Sequence, residues 1–506
     1  MPLELSQKIK LNKNIVANYI GGVWSSLMAI LPIPLYIKYL GIESYGLIGA
    51  FSAIQIWFYV LDLGLTPTLS REIAQFKSGT KANQEINNLL RSLEVIYLGI
   101  GLCIMIAMIL LGPWIAVHWV RSENIASNTI SQSLTILGIY IVIRWLSGLY
   151  KGGISGLAKN IWLNTNSSIF STLRGFGVIV ALIIVTATIN TFLIYQCILG
   201  LVELVMLRNF IYKNLDDGII KPRFSWVALK NIHKFAAGMG FNMFQVLLLT
   251  QTDKLMLTKI VSLTEFAYYS LASTVAGGMF VIVGAITNVA YPALSKLIFS
   301  NDILNASKEY HQYSKLVSII TIPIAMIMIF FSKTILELWT RDTSLANSTY
   351  SVLSLLAIGN LINCLMQMPY YLQIAHGWTS YNLKVNCIAL VFILPSTYLL
   401  VPKYGIIIAP IIWILFNLFY IIIAPYYMHK KIFTGEIAEW YVIDIIKPLS
   451  WFMMPNIGIY FLYNAFNFQT DFIKFISMFL IFLVNLLIAY SLYRGSDGKI
   501  NNNSAK

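Results

Sequence analysis

Fourteen runs of about 20 mostly apolar residues recur along the 506-residue chain, and few folds accommodate that pattern. A run of this length crosses a ~30 Å hydrocarbon core as a single helix, the form that satisfies each backbone N–H and C=O internally where no water is present. The runs fall near 15–36, 45–65, 93–119, 133–153, 167–188, 191–212, 235–257, 266–290, 312–332, 350–373, 385–401, 406–427, 448–466 and 473–493. The expected fold is an all-α polytopic membrane protein. Only 11% of residues are charged, against about 25% in soluble domains. Lys8, Lys10 and Lys13 precede an apolar run too long for a signal peptide and without a small-residue cleavage pattern, so that run is expected to remain as the first span.

The net charge of +14 is scattered between the apolar runs rather than gathered into a stripe, which argues for membrane topology and against nucleic acid. With the N-terminus inside, 25 Lys and Arg fall in cytoplasmic segments, 8 outside and 2 within spans, together the 35 present. Cytoplasmic segments retain basic residues, so this asymmetry predicts both termini in the cytoplasm. The basic connection carrying Arg208, Lys213, Asp216, Asp217, Gly218, Lys221, Pro222, Arg223, Lys230 and Lys234 reads as a joint. The expected organisation is a six-helix bundle over 1–212, a cytoplasmic linker over 213–234, a second six-helix bundle over 235–427, and two further helices with a tail over 428–506. Two such halves would enclose a cavity.

Polar residues within the spans are the candidates for function. A charge at the centre of a span costs about 2.5–3.5 kcal/mol on insertion scales, so each must pair, snorkel or face a cavity. Arg144 sits mid-span in the fourth run, with Tyr140, Gly148 and Lys151 on its helical face. Arg174 lies seven residues into the fifth run, sharing a face with Ser167 and Ser171. Arg144 reads either as a structural ion-pair partner or snorkelling side chain, or as a contact for an anion; Arg174 reads either as a side chain that snorkels to the cytoplasmic interface or as a second anion contact. A guanidinium grips two oxygens at once and keeps its charge, which suits phosphate, and Lys151 would add a third positive charge. Glu203, mid-span in the sixth run, reads either as their partner or as an ion-coupling group, and Asp253 is a second coupling candidate. Gly238, Asn242, Gln245, Thr252 and Asp253 draw a polar stripe on the seventh run; Asn360, Asn363, Gln367 and Tyr370 draw another on the tenth. Such amides either hydrogen-bond sugar hydroxyls or join helices to each other. Pro32 and Pro34 should break or kink the first span.

Several chemistries have no foothold. There is no P-loop, HExxH or GxSxG in its setting, so no ATPase or common hydrolase is expected. Cys103, Cys197, Cys364 and Cys387 fall in separate runs without CxxC, and His118, His233, His311, His376 and His429 form no recognisable set. No metal or cofactor is expected. The outer connections are short, which disfavours a membrane glycan polymerase or ligase.

Leu40-Gly41, Glu43, Tyr45-Gly46, Leu61-Asp62-Leu63-Gly64 and Arg71-Glu72-Ile73-Ala74, together with Thr252-Asp253-Lys254, Tyr268-Tyr269, Tyr291-Pro292 and Leu294-Ser295, resemble Wzx-type O-antigen and polysaccharide-unit flippases. The resemblance implies the multidrug/oligosaccharidyl-lipid/polysaccharide exporter fold, two six-helix bundles in a V with two added helices. It implies a bacterial inner-membrane flippase that moves an undecaprenyl-pyrophosphate-linked oligosaccharide from inner to outer leaflet by alternating access, driven by an ion or proton gradient. Membrane lipid, a glycan polymerase and a chain-length regulator would be its partners. Siblings of that fold flip a peptidoglycan precursor or export drugs. A precursor flippase shares the pyrophosphate, whereas a cationic drug would favour acidic rather than Arg-rich cavities.

Overall fold

The computed structural model describes residues 21–77, 82–215, 222–466 and 470–503, and no strand occurs among them. Lys8, Lys10, Lys13, Lys81, Asp216, Asp217, Gly218 and Lys221 lie outside the described residues. Among the described residues, twelve helices are long and apolar enough to cross a membrane. They overlap twelve of the fourteen runs expected from the sequence. The other two runs, at 235–257 and 448–466, also form helices, Trp226–Ile260 and Lys447–Phe466. Polar residues such as Thr252 and Asp253 in one, and Pro455 and Asn456 in the other, dilute their apolar content. Large side chains such as Leu110, Ile184 and Val391 are 71%, 75% and 76% exposed. On a multi-pass membrane protein these face lipid tails without penalty, whereas in water such patches would drive association.

One compact unit covers Met1–Ala267. The first span is a helix over 21–30, here α1, a turn at 31–32, and then α2 (Ile33–Leu40). The interruption falls at Pro32, as the missing N–H and fixed φ of proline require. Next come α3 (Ile42–Phe58), α4 (Leu65–Lys77), α5 (Asn83–His118), α6 (Ser127–Gly156), α7 (Asn160–Thr172), a π-helical turn Leu173–Gly177, α8 (Val178–Ile184), α9 (Ile189–Leu215) and α10 (Trp226–Ile260). The α6 helix is the axis of this unit. It packs on α4, α5 and α9, and 61% of its span is buried, against 28% for α5.

Two acidic residues of the unit shape its turns. Asp62 accepts the Thr66 N–H at 3.2 Å, the Thr66 hydroxyl at 2.6 Å and the Tyr97 hydroxyl. This caps α4 after a reversal at Leu63 and Gly64, whose φ of +47° and +73° are left-handed. Glu43 accepts from the Ser122 hydroxyl at 2.7 Å and the Glu123 N–H at 2.6 Å, fastening the loop after α5 to the start of α3.

The second unit covers Tyr268–Lys506. It contains most of α11 (Leu263–Phe299), then α12 (Ile303–Phe330), α13 (Ser332–Thr340), α14 (Thr343–Leu365), α15 (Gln367–Ala375), α16 (Thr379–Tyr404), α17 (Ile408–Lys431), α18 (Ile437–Glu439), a π-helical stretch Trp440–Ile446, α19 (Lys447–Phe466) and α20 (Asp471–Asn503). Here α14 is the central helix, packed on α12, α13 and α17. Asn456 of α19 and Asn485 of α20 exchange two amide hydrogen bonds of 2.9 and 3.1 Å, both side chains being buried.

Close approach of α6 to α4 depends on two glycines spaced four apart. A Cβ on Gly152 would lie 3.0 Å from the Thr66 carbonyl oxygen, and one on Gly156 would lie 3.0 Å from Ile73 Cβ and closer still to the Ser70 carbonyl. Gly156→Leu must therefore push the helices apart. It is expected to cost on the order of 1–3 kcal/mol, read as a lower melting temperature of the detergent-solubilised protein, while Gly148→Ala, with open space around the added Cβ, does not lower the melt.

Candidate functional site

Glu203 of α9 is fully buried, and three cations converge on it. Lys151 Nζ lies 2.7 Å from Oε1, and a guanidinium N–H of Arg144 donates to Oε2 at 2.9 Å. Arg174 donates to the same Oε2. Arg144 and Lys151 stand on one face of α6, two turns apart, as a spacing of seven dictates. One carboxylate among three cations leaves two positive charges over. In a membrane interior that excess is costly without water or an anion to meet it. The cation side chains remain 14–25% exposed, so the positive face of the cluster is reachable while its acid is not.

Arg174 owes its direction to the π-helical turn that carries it. A π turn inserts one residue into the ladder and rotates the helix beyond it. The loosened carbonyls are taken by side chains: Tyr195 donates to Leu173 O at 3.0 Å, the Gln196 amide to Arg174 O at 3.2 Å, and Tyr36 to Gly175 O at 2.8 Å. Gly175 is needed there, since a Cβ would stand 2.6 Å from the Met28 carbonyl oxygen of α1. Beside the turn lies a cavity of about 250 Å³ between α1, α2, α6, α7 and α9.

A second acid-centred nest, which no spacing in the sequence singles out, lies in α5. Glu94 is buried and accepts from Arg91 at 2.8 Å and from the Tyr150 hydroxyl at 2.6 Å, with Arg208 Nε at 3.7 Å. A charge at the end of an apolar run reads as interfacial; Arg91 is a helical neighbour at i−3, and only the packing of α5 against α6 and α9 reveals Tyr150 and Arg208.

The other sequence candidates are distributed. The side chains of Asn242 and Gln245 lie outside the described residues. Asp253 is half-buried near the end of α10, within the first unit. In the second unit Asn360 accepts from the Trp413 indole at 3.0 Å, Asn363 donates to Asn417 at 2.8 Å, and Gln367 donates to Asn363 at 3.2 Å. These amides join α14 and α15 to α17. Two of the histidines that form no set in the sequence come together here around buried Tyr310. His311 Nδ1 is 2.6 Å from Asp444 Oδ2, its Nε2 is 3.5 Å from Glu436 Oε2, and His429 Nε2 is 3.4 Å from the Tyr310 hydroxyl. Burial pushes the Asp444 carboxyl up to about 6, with His311 pulling the other way. No signal in spacing connects residues 311, 429 and 444.

Long apolar helices around a buried, cation-rich cluster make this a multi-pass membrane protein, and solved structures share its fold. The solved structure of the lipid II flippase MurJ in its inward closed conformation matches with a TM-score of 0.65 at 18% identity, covering 95% of this chain and 98% of that one. The MATE multidrug transporter DinF-BH matches with a TM-score of 0.60 at 13% identity, over 83% of this chain and 95% of that one. The chain belongs to the polysaccharide biosynthesis protein family, which matches residues 40–341. A Shigella flexneri relative named "Putative O-antigen transporter" is 23% identical over 401 residues, 79% of this chain and 93% of its own length. The resemblance to Wzx-type flippases is thereby borne out, as is the expected exporter fold.

Removing the shared acid leaves three cations facing one another. Glu203→Ala is expected to destabilise the protein by about 3–5 kcal/mol, read as a fall in melting temperature after mild solubilisation. Adding Arg174→Ala to it recovers part of the loss. An unchanged melt for Glu203→Ala would mean that the cluster does not hold α6, α7 and α9 together.

Proposed function

We propose that this transporter flips an undecaprenyl-pyrophosphate-linked oligosaccharide from the inner to the outer leaflet of the bacterial cytoplasmic membrane, for O-antigen or a related surface polysaccharide. The carrying observation is the charge surplus at Arg144, Lys151 and Arg174 around the carboxylate of Glu203. A pyrophosphate is a dense, multivalent anion, and two guanidinium groups with an ammonium match it in charge and in hydrogen-bond geometry. The polysaccharide family and the Shigella relative's name support a glycan cargo.

Topology and the transport cycle supply the rest. Both termini lie in the cytoplasm, consistent with the Lys and Arg bias. An ion gradient drives the return of the empty carrier, with half-buried Asp253 as the acidic group available to it, since Glu203 is enclosed by its three cations. A glycan polymerase and a chain-length regulator receive the exported unit. Asn242 and Gln245, on the polar stripe of α10, are the amides we assign to the glycan, whereas Asn360, Asn363 and Gln367 are held in contacts among α14, α15 and α17. A peptidoglycan precursor carries the same pyrophosphate and is the nearest competing cargo; a cationic drug is opposed by the surplus charge.

Deletion of the gene with leaflet-resolved analysis of lipid-linked glycans tests this function. Undecaprenyl-linked repeat units should accumulate on the cytoplasmic leaflet. Accumulation of single units outside would instead identify a polymerase, and accumulation of the peptidoglycan precursor would identify the competing cargo. Arg144→Ala leaves Glu203 with two cations, so the fold is retained. Surface glycan is nevertheless expected to fall at least tenfold at normal membrane abundance, with Arg144→Lys intermediate. Normal surface glycan in Arg144→Ala removes this residue from the site.

A further inference from the structure

The cavity beside the π turn has a chemistry different from that of the cation cluster it adjoins. Its polar lining comes from Ser25, Tyr36, Tyr140, Ser171, Arg174 and Gln196, over an apolar patch of Met28 and Ala29. Gln196 is only 6% exposed. Its amide N–H is committed to the Arg174 carbonyl, which settles the orientation of the amide, and its Oε1 is buried with no hydrogen-bond partner among the described residues. Buried acceptors of this kind are rare, and each one calls for a donor. Ser171 donates to the Ser25 hydroxyl at 3.2 Å.

These groups discriminate between occupants. A phosphate oxygen is itself an acceptor, so Gln196 Oε1 repels it, and the cations beside Glu203 offer it a better place. An isoprenoid tail brings no donor at all. A sugar ring brings hydroxyl donors for Gln196 Oε1, acceptors for the Ser25 and Tyr140 hydroxyls, and an apolar face for Met28 and the tyrosine rings. We propose that this cavity is a monosaccharide subsite that seats the sugar next to the pyrophosphate, with Gln196 as its specificity-determining residue. Arg174 then stands at the junction, its guanidinium at the phosphate cluster and its backbone carbonyl orienting Gln196. The assignment rests on the lipid-linked glycan function, but it concerns recognition of the first sugar rather than the anion.

The test separates the two. Full-length protein in lipid nanodiscs is titrated with undecaprenyl pyrophosphate, and with the same lipid bearing one hexose, N-acetylhexosamine or uronic acid. The wild type is expected to bind at least one sugar-bearing lipid tenfold or more tightly than the bare pyrophosphate. Gln196→Leu is expected to abolish that preference, and Arg174→Ala to weaken binding of both lipids. Ala29→Phe, at an exposed wall position that makes no polar contact, fills the cavity and should act like Gln196→Leu even if the latter disturbs the π turn; thermal melts of each variant report folding. A preference that survives both Gln196→Leu and Ala29→Phe overturns the subsite. A wild type that binds bare and sugar-bearing lipid equally overturns it while sparing the flippase function, and one that binds neither overturns both.

Discussion

The first unit is organised by the cost of placing charge in a membrane. Four ionised groups from three neighbouring stretches of chain meet at Glu203, and none of them could sit alone there. Their mutual attraction fixes the rotation of α6, since Arg144 and Lys151 must both face α9. It also fixes the placement of the π turn, since Arg174 must reach the same carboxylate from the end of α7. The burial of α6 is a consequence, because a helix that carries two such cations must turn them inward and wrap the remainder in neighbours. The attraction is incomplete: three cations and one acid leave a surplus of positive charge that only an anion or water can meet.

Backbone irregularity does the aiming. Arg174 sits on a π turn whose freed carbonyls are claimed by Tyr36, Tyr195 and Gln196, so two of the side chains that stabilise the distortion, Tyr36 and Gln196, also line the cavity beside it. The turn at Leu63 and Gly64 is similar in kind, a left-handed reversal held by Asp62 and extended to α5 through Tyr97, which stacks on Trp145 at 4.3 Å. The second unit adds neutral polar contacts to its ion pairs. Asn360, Asn363 and Gln367 are engaged with α17 and with one another, and Asn456 with Asn485, as expected where the apolar surroundings give helices no hydrophobic reason to associate. A partly buried ionisable nest, His311 with buried Asp444 and with Glu436, lies where the π-helical stretch before α19 meets α12.

How much of this is legible in the sequence differs by residue. Arg144 is conspicuous because a guanidinium in the middle of an apolar run has few explanations, and Lys151 joins it by helical spacing. Glu203 is visible as a buried acid with two competing roles. Glu94 does not stand out, because a charge at the end of a run reads equally well as interfacial. Gln196 escapes notice because a lone amide in an apolar helix is ordinary until its partner, or lack of one, is seen. The histidines give no pattern because their companions are separated by more than a hundred residues.

The sequence by itself determined that the chain is a bundle of membrane-crossing helices with cations buried among them. Length and apolarity alone select helices in lipid, and the energetic penalty on charge makes each exception conspicuous. Only the tertiary structure decided which charges meet. Pairing between α6, the π turn and α9 depends on helix rotation and on the hydrogen-bond slip at residues 173–177, and neither leaves a periodic trace in the sequence. The same holds for the cavity at Gln196, whose unpaired oxygen is a property of the surrounding walls rather than of the residue.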